Sequence, residues 1–121
     1  MRLYIGEIVV NVNDLERAIN FWTAALGYKL QDQFPTFAIL ADPRREWTRL
    51  TVQLTDRPKQ GLNRLHLDLY AEDGPAEVER LKALGAKIIP WQYKPDSGFL
   101  VMADLDGNEF CVIGSNLQEY Q

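Results

Sequence analysis

The chain runs through the same pattern twice, and this repeat limits its possible folds more than any other feature. Residues 4–12 alternate, with Ile8, Val10 and Val12 on one face of a strand and Glu7, Val9 and Asn11 on the other. Asn13 or Asp14 is placed to cap a helix. Its apolar positions Leu15, Ala18, Ile19, Trp22 and Leu26 keep helical spacing up to Gly27, where a left-handed residue is wanted. Three β-like stretches follow near 28–33, 36–41 and 47–54, broken by Pro35 and by Asp42-Pro43. After a polar connector, 55–63, the order restarts. Residues 64–70 set Leu65, Leu67 and Leu69 against His66, Asp68 and Tyr70. Asp73, Gly74 and Pro75 open a second helix with Val78, Leu81 and Leu84 that ends at Gly85, and strands are expected near 87–93, 99–103 and 109–113. Glu7 aligns with His66, Ala25-Leu26-Gly27 with Ala83-Leu84-Gly85, and Ala41-Asp42 with Ala103-Asp104.

Two tandem βαβββ modules define an α+β fold in which each helix covers one face of its sheet and the other face is free to curve around a cavity. A ferredoxin-like sandwich has too few strands for this pattern. The 121 residues are enough for one domain with a real core and too few for two domains of ordinary size. The expected layout is a single domain over 1–121, with module one at about 3–54, the connector at 55–63, module two at about 64–114 and a tail at 115–121.

Charge narrows the function. With 13 basic residues spread among 17 acidic ones and a net charge of −4, no cationic surface is available for a run of phosphates, so nucleic acid is excluded as a partner. No apolar run approaches the roughly 20 residues that cross a bilayer. Arg2 is followed by Glu7 before any signal-length apolar stretch, so a cytoplasmic location is expected. Cys111 is the only cysteine, which rules out an intrachain disulfide and a Cys-rich zinc site.

The segment from Glu7 to Ala18 (EIVVNVNDLERA), with Phe21-Trp22 and Leu26-Gly27, resembles the vicinal-oxygen-chelate superfamily, which comprises glyoxalase, bleomycin-resistance and dioxygenase proteins. In the second half, His66-Leu67-Asp68-Leu69 and the 81–86 stretch LKALGA resemble it too. Asp104-Leu105-Asp106-Gly107-Asn108 looks like the family's DPDGN turn with Leu105 in place of proline. The resemblance covers nearly the whole chain and implies the glyoxalase/bleomycin-resistance fold. It does not select among isomerases, lyases, dioxygenases and non-catalytic antibiotic-binding proteins.

Alternation alone puts Glu7 and His66 on the free, cavity-lining face, and carboxylate and imidazole are suitable ligands for Zn²⁺, Mn²⁺, Ni²⁺ or Fe²⁺. The resemblance implies ligand positions at Glu7 and Arg49 in module one and at His66 and Cys111 in module two. Arg49 opposes a metal, since a guanidinium has no lone pair to donate and repels a divalent cation. In a metal-free pocket it would offset Glu7 or clamp a carboxylate or phosphate of the ligand. Cys111 stands where the family's last glutamate usually stands and reads either as a ligand or as a small buried apolar residue. Glu109, two residues earlier on the same face, is a substitute ligand. His66 is either a ligand or acid/base group, or a pocket residue hydrogen-bonded to Glu7 or Asp68. Trp47, Trp91, Tyr93 and Phe99 are candidates to line the cavity mouth and stack on a flat or cationic ligand, whereas Trp22 belongs in the core. The stretch 92–98 reads as a loop over the pocket or as a long hairpin connection.

Three functions follow. The first is a metal-independent protein that binds or sequesters a small organic molecule; for such relatives the resemblance implies a homodimer and a cationic aromatic ligand. The second is a divalent-metal-dependent lyase or isomerase resembling lactoylglutathione lyase, with Glu7 and His66 as catalytic groups; a dioxygenase is disfavoured because there is one histidine. The third is a non-catalytic domain serving a protein partner.

Overall fold

A computed structural model describes residues 5–61, 63 and 65–121. The chain divides into two compact units, the first running to Pro58 and the second starting at Lys59, so the boundary falls within the polar connector.

In the first unit, β1 (Glu7–Val12), α1 (Leu15–Leu26), β2 (Lys29–Gln33), β3 (Phe37–Ala41) and β4 (Arg49–Leu54) follow the expected βαβββ order. Asp14, rather than Asn13, caps α1, its carboxylate accepting from the backbone N–H of Arg17 at 3.0 Å. The Asn13 amide instead donates to the carbonyls of Thr55 and Arg57 and holds the end of β4 against the start of the helix. Gly27 closes α1 at φ +70°. The sheet runs β1-β4-β3-β2, with β1 and β4 parallel and the remaining pairs antiparallel. One face carries Ala38, Leu40, Leu50 and Val52, all buried beneath Ala18, Ile19, Phe21 and Trp22 of the helix. The other face carries Glu7, Arg49 and Thr51.

The second unit repeats the plan with β5 (Leu67–Tyr70), α2 (Gly74–Ala83), β6 (Lys87–Ile88), β7 (Phe99–Ala103) and β8 (Glu109–Ile113). Its sheet order, β5-β8-β7-β6, again has one parallel pair, so each module builds its own open four-stranded mixed sheet. Asp73 caps α2 through the Ala76 N–H at 3.1 Å, with Pro75 in the first turn, where its missing N–H costs nothing. Val78 and Leu81 are buried with Leu100, Met102, Phe110, Val112 and Leu117.

Several expected boundaries move. The strand expected at 87–93 stops at Ile88, because Pro90 has no N–H to give the ladder. The strand expected from Trp47 begins at Arg49, since the Trp47 N–H is drawn back to the carboxylate of Asp42 at 3.3 Å. His66 lies just before β5 rather than within it, and the expected strand ends at Tyr4 and Arg64 lie outside the described residues. The 92–98 stretch is a hairpin connection: Lys94 to Ser97 form a turn, and the Gln121 amide donates to the carbonyls of Ser97 and Phe99.

The aligned aspartates do the same job in both repeats. Asp42 accepts from the N–H groups of Arg44, Glu46 and Trp47, and Asp104 accepts from those of Asp106 and Asn108 and from the Asn108 side chain. Each carboxylate gathers the loop that follows it, which explains an acidic residue at 9% or less exposure in both places. For Asp42, these bonds, led by the one from Arg44, hold the carboxyl below the usual carboxylate range.

Candidate functional site

The helix-free face of the second sheet is where side chains of chemical interest collect. Alternate residues of β7 and β8, Phe99 and Val101, then Glu109, Cys111 and Ile113, turn toward this face and line a cavity of about 420 Å³. Asn63, His66, Asp68 and Trp91 complete its wall. Tyr93 stands behind Phe99, ring centroids 5.2 Å apart, and its hydroxyl accepts the Val101 N–H at 2.9 Å, fixing the aromatic side of the cavity. Burial pushes the Tyr93 hydroxyl above its ordinary pKa, so it stays a neutral phenol.

Asp68 is the hub. Its carboxylate lies 3.1 Å from His66 Nε2, and an imidazole nitrogen of His66, an oxygen of Asp68 and Sγ of Cys111 lie within 4.8 Å of one another. Burial first, and then the nearby charges of Asp68 and Glu109, push the Cys111 thiol up, so it is a protonated donor rather than a nucleophile at neutral pH. Glu109 shares the cavity but is committed to Lys59, whose Nζ is 3.2 Å from Oε1, and its carbonyl accepts from Asn63 at 2.9 Å.

This trio offers one nitrogen, one oxygen and one sulfur, a set that fits a borderline-soft ion such as Zn²⁺ better than a hard one such as Mn²⁺. The metal donors placed together are therefore His66 and Cys111 with Asp68. Glu7 belongs to the first unit. There its Oε2 accepts from Thr51 Oγ1 at 3.0 Å and lies 3.7 Å from Arg49 Nη2, the offsetting role considered for Arg49. Trp47 is also in the first unit, 72% exposed beside a concavity that includes Arg49.

The sheet registers correct one correspondence. Ile39 pairs with Thr51 and Val101 with Cys111, while Val9 pairs with Thr51 and Asp68 with Cys111. The counterpart of Cys111 in the first repeat is thus Thr51, and that of Arg49 is Glu109. Counting along a strand whose start is misplaced by two residues gives the wrong partner. Sequence reasoning missed Thr51, Lys59 and Asn63. The first was hidden by that offset, and the other two lie in a connector without periodicity.

The comparisons with known proteins agree with this architecture. A family model described as a glyoxalase-like domain matches residues 7–113, and the chain belongs to that family. A genomically encoded fosfomycin resistance protein, FosX, from Listeria monocytogenes, solved with Mn(II) and sulfate, is 16% identical over 100% of both chains with a TM-score of 0.76. A variant of it was solved with Mn(II) and dihydroxypropylphosphonic acid. A glyoxalase/bleomycin resistance protein/dioxygenase family enzyme from Burkholderia phytofirmans is 14% identical, covering 93% of this chain and 98% of its own, at a TM-score of 0.74. At such identities the likeness is one of fold, the glyoxalase/bleomycin-resistance fold.

Proposed function

We propose that the chain binds or sequesters a small organic molecule in the cavity of the second unit, and that the ligand is a compact aromatic cation. The observation that carries this reading is the make-up of the wall. Trp91, Phe99 and Val101 supply apolar and aromatic surface, and two carboxylates line the wall, Asp68 and Glu109, the latter paired with Lys59. Such a wall favours a flat ligand bearing positive charge, through stacking and cation–π attraction as well as Coulomb attraction. Asp68 is the anchoring charge, with His66 holding its carboxylate in place. The protein acts as one domain in the cytoplasm, and its open sheet edges support a homodimer. No helix among the described residues is long and apolar enough to cross a membrane.

The spacing of His66, Asp68 and Cys111 supports a second reading, a metal-dependent lyase or isomerase. There the trio would hold a divalent ion that supplies Lewis acidity to a substrate oxygen. His66 would then be a ligand rather than a free base, and Cys111 would lose its proton on binding.

Two measurements on untagged protein separate the readings: metal content followed by calorimetric titration with Zn²⁺ and Mn²⁺, and a fluorescence screen with cationic aromatic compounds that follows Trp91. The binding reading expects no metal heat and a quench that Asp68→Asn weakens by about tenfold. Near-stoichiometric metal, lost in His66→Ala and Cys111→Ser, would replace it with the metal reading.

A further inference from the structure

The first unit has a concavity of its own, of about 640 Å³, and its lining has a different chemistry. Three unusual local features meet there. The β2–β3 ladder slips between Leu30 and Asp32, leaving Gln31 as the extra residue of a bulge, and Gln31 lines the concavity. Arg45 is held at φ +57°, a conformation that favours glycine, by the turn that its N–H closes to the Asp42 carbonyl at 2.9 Å. Trp47, a large apolar side chain, stands 72% exposed between Arg45 and Arg49. Bulges and backbone strain of this kind gather at functional sites.

The lining sets two guanidinium groups, Arg45 and Arg49, against two carboxylates, Asp42 and Glu46, so the formal charges balance and the groups left open decide the ligand. Asp42 lines the concavity, but its two oxygens are taken up by three backbone N–H groups. Glu7 reaches Arg49 only at 3.7 Å, beyond hydrogen-bond distance, and the Arg49 side chain is 41% exposed, so part of it is open to solvent. Arg45 makes no ion pair among the described residues. Glu46 is the one lining carboxylate whose side chain is not engaged, and it works against an anion.

We infer that the first unit carries a second binding site, formed by Arg45, Trp47, Arg49 and Gln31, for a planar organic anion of the aromatic carboxylate class. The guanidinium of Arg49 meets the carboxylate side-on, Trp47 covers the ring, and the Gln31 amide reaches the edge. This site stands on different residues from the cavity of the second unit and does not depend on the function proposed there.

The test is titration of the full chain, isotopically labelled, with 2-naphthoate, read by two-dimensional NMR at the Trp47 indole N–H and the Arg49 Nε–H. Saturable shifts at both groups are expected. Arg49→Gln and Arg45→Gln should each weaken binding by about tenfold, Glu46→Gln should tighten it, and the neutral 2-naphthylmethanol should bind about tenfold more weakly. The same spectra report whether each variant is folded. The site is disproved by an unmoved Trp47 signal at about 10 mM naphthoate, or by shifts confined to Trp91 of the other unit. An Arg49→Gln variant that binds as the parent does, or equal binding of the neutral alcohol, disproves it as well.

Discussion

In the first unit the carboxylate stands on the edge strand and the base on its parallel neighbour, Glu7 facing Arg49. In the second the order is reversed: one step before the Leu67–Phe110 pair come His66 at the head of β5 and Glu109 on β8. The backbones around these positions are alike, with the same sheet order and the same aspartate-gathered loop. Their electrostatics are opposite. Glu7 takes its hydrogen bond from a threonine, while the equivalent place beside Asp68 holds a cysteine. The fold needs only the apolar alternation on the helix-covered face, which leaves the other face free to differ.

The sharpest way to test the likeness of the two frameworks is to cut equivalent core positions. Phe110 and Leu50 are counterparts, 1% and 3% exposed. Phe110→Ala should cost about 3–5 kcal/mol and Leu50→Ala about 2–5 kcal/mol in urea unfolding. Each should move a single transition as a whole. A variant that loses only part of the signal would break the proposal that the chain is one domain.

The two helix-ending glycines differ more subtly. A Cβ at Gly27 would meet open space, so Gly27→Ala should cost only the left-handed backbone, about 1 kcal/mol. Gly85 sits at φ +110°, and its Cβ would come within 2.5 Å of Leu105 Cδ2. Gly85→Ala should therefore cost about 2–3 kcal/mol. Equal melting temperatures for the two variants would show that Leu105 yields freely.

The smallest effect concerns the thiol of Cys111. Because the Cys111 pKa is raised, its thiolate fraction at any pH below that value is smaller than that of a free thiol. Alkylation by iodoacetamide should accordingly rise only at pH above the range of an unhindered cysteine. Asp68→Asn removes one of the raising charges and should move the profile to lower pH. An unchanged profile in that variant would leave burial and the Glu109 charge as the causes.

Element order, helix caps and most strands could be read from sequence because they rest on local signals: Asp14, Gly27, Asp73, Pro75 and the alternation around Val12 and Leu67. The trio at His66 was half visible: alternation put His66 and Asp68 on the open face and the resemblance implied His66 and Cys111 as ligand positions, whereas the pairing of Asp68 with Cys111 depends on register between strands far apart in sequence. Lys59 and Asn63 could not be seen in advance, because tertiary contact alone gives a connector residue its role. Pro90 is a local signal of the same kind, and it ends the strand at Ile88.

Asp42 holds its loop by backbone N–H groups alone, and every residue other than proline presents that same group whatever its side chain. The shape of the stretch from Arg44 to Trp47 is therefore independent of most of its letters. An engineer could rewrite those side chains and keep the scaffold, so that new ligand preferences become a matter of surface vocabulary rather than of refolding.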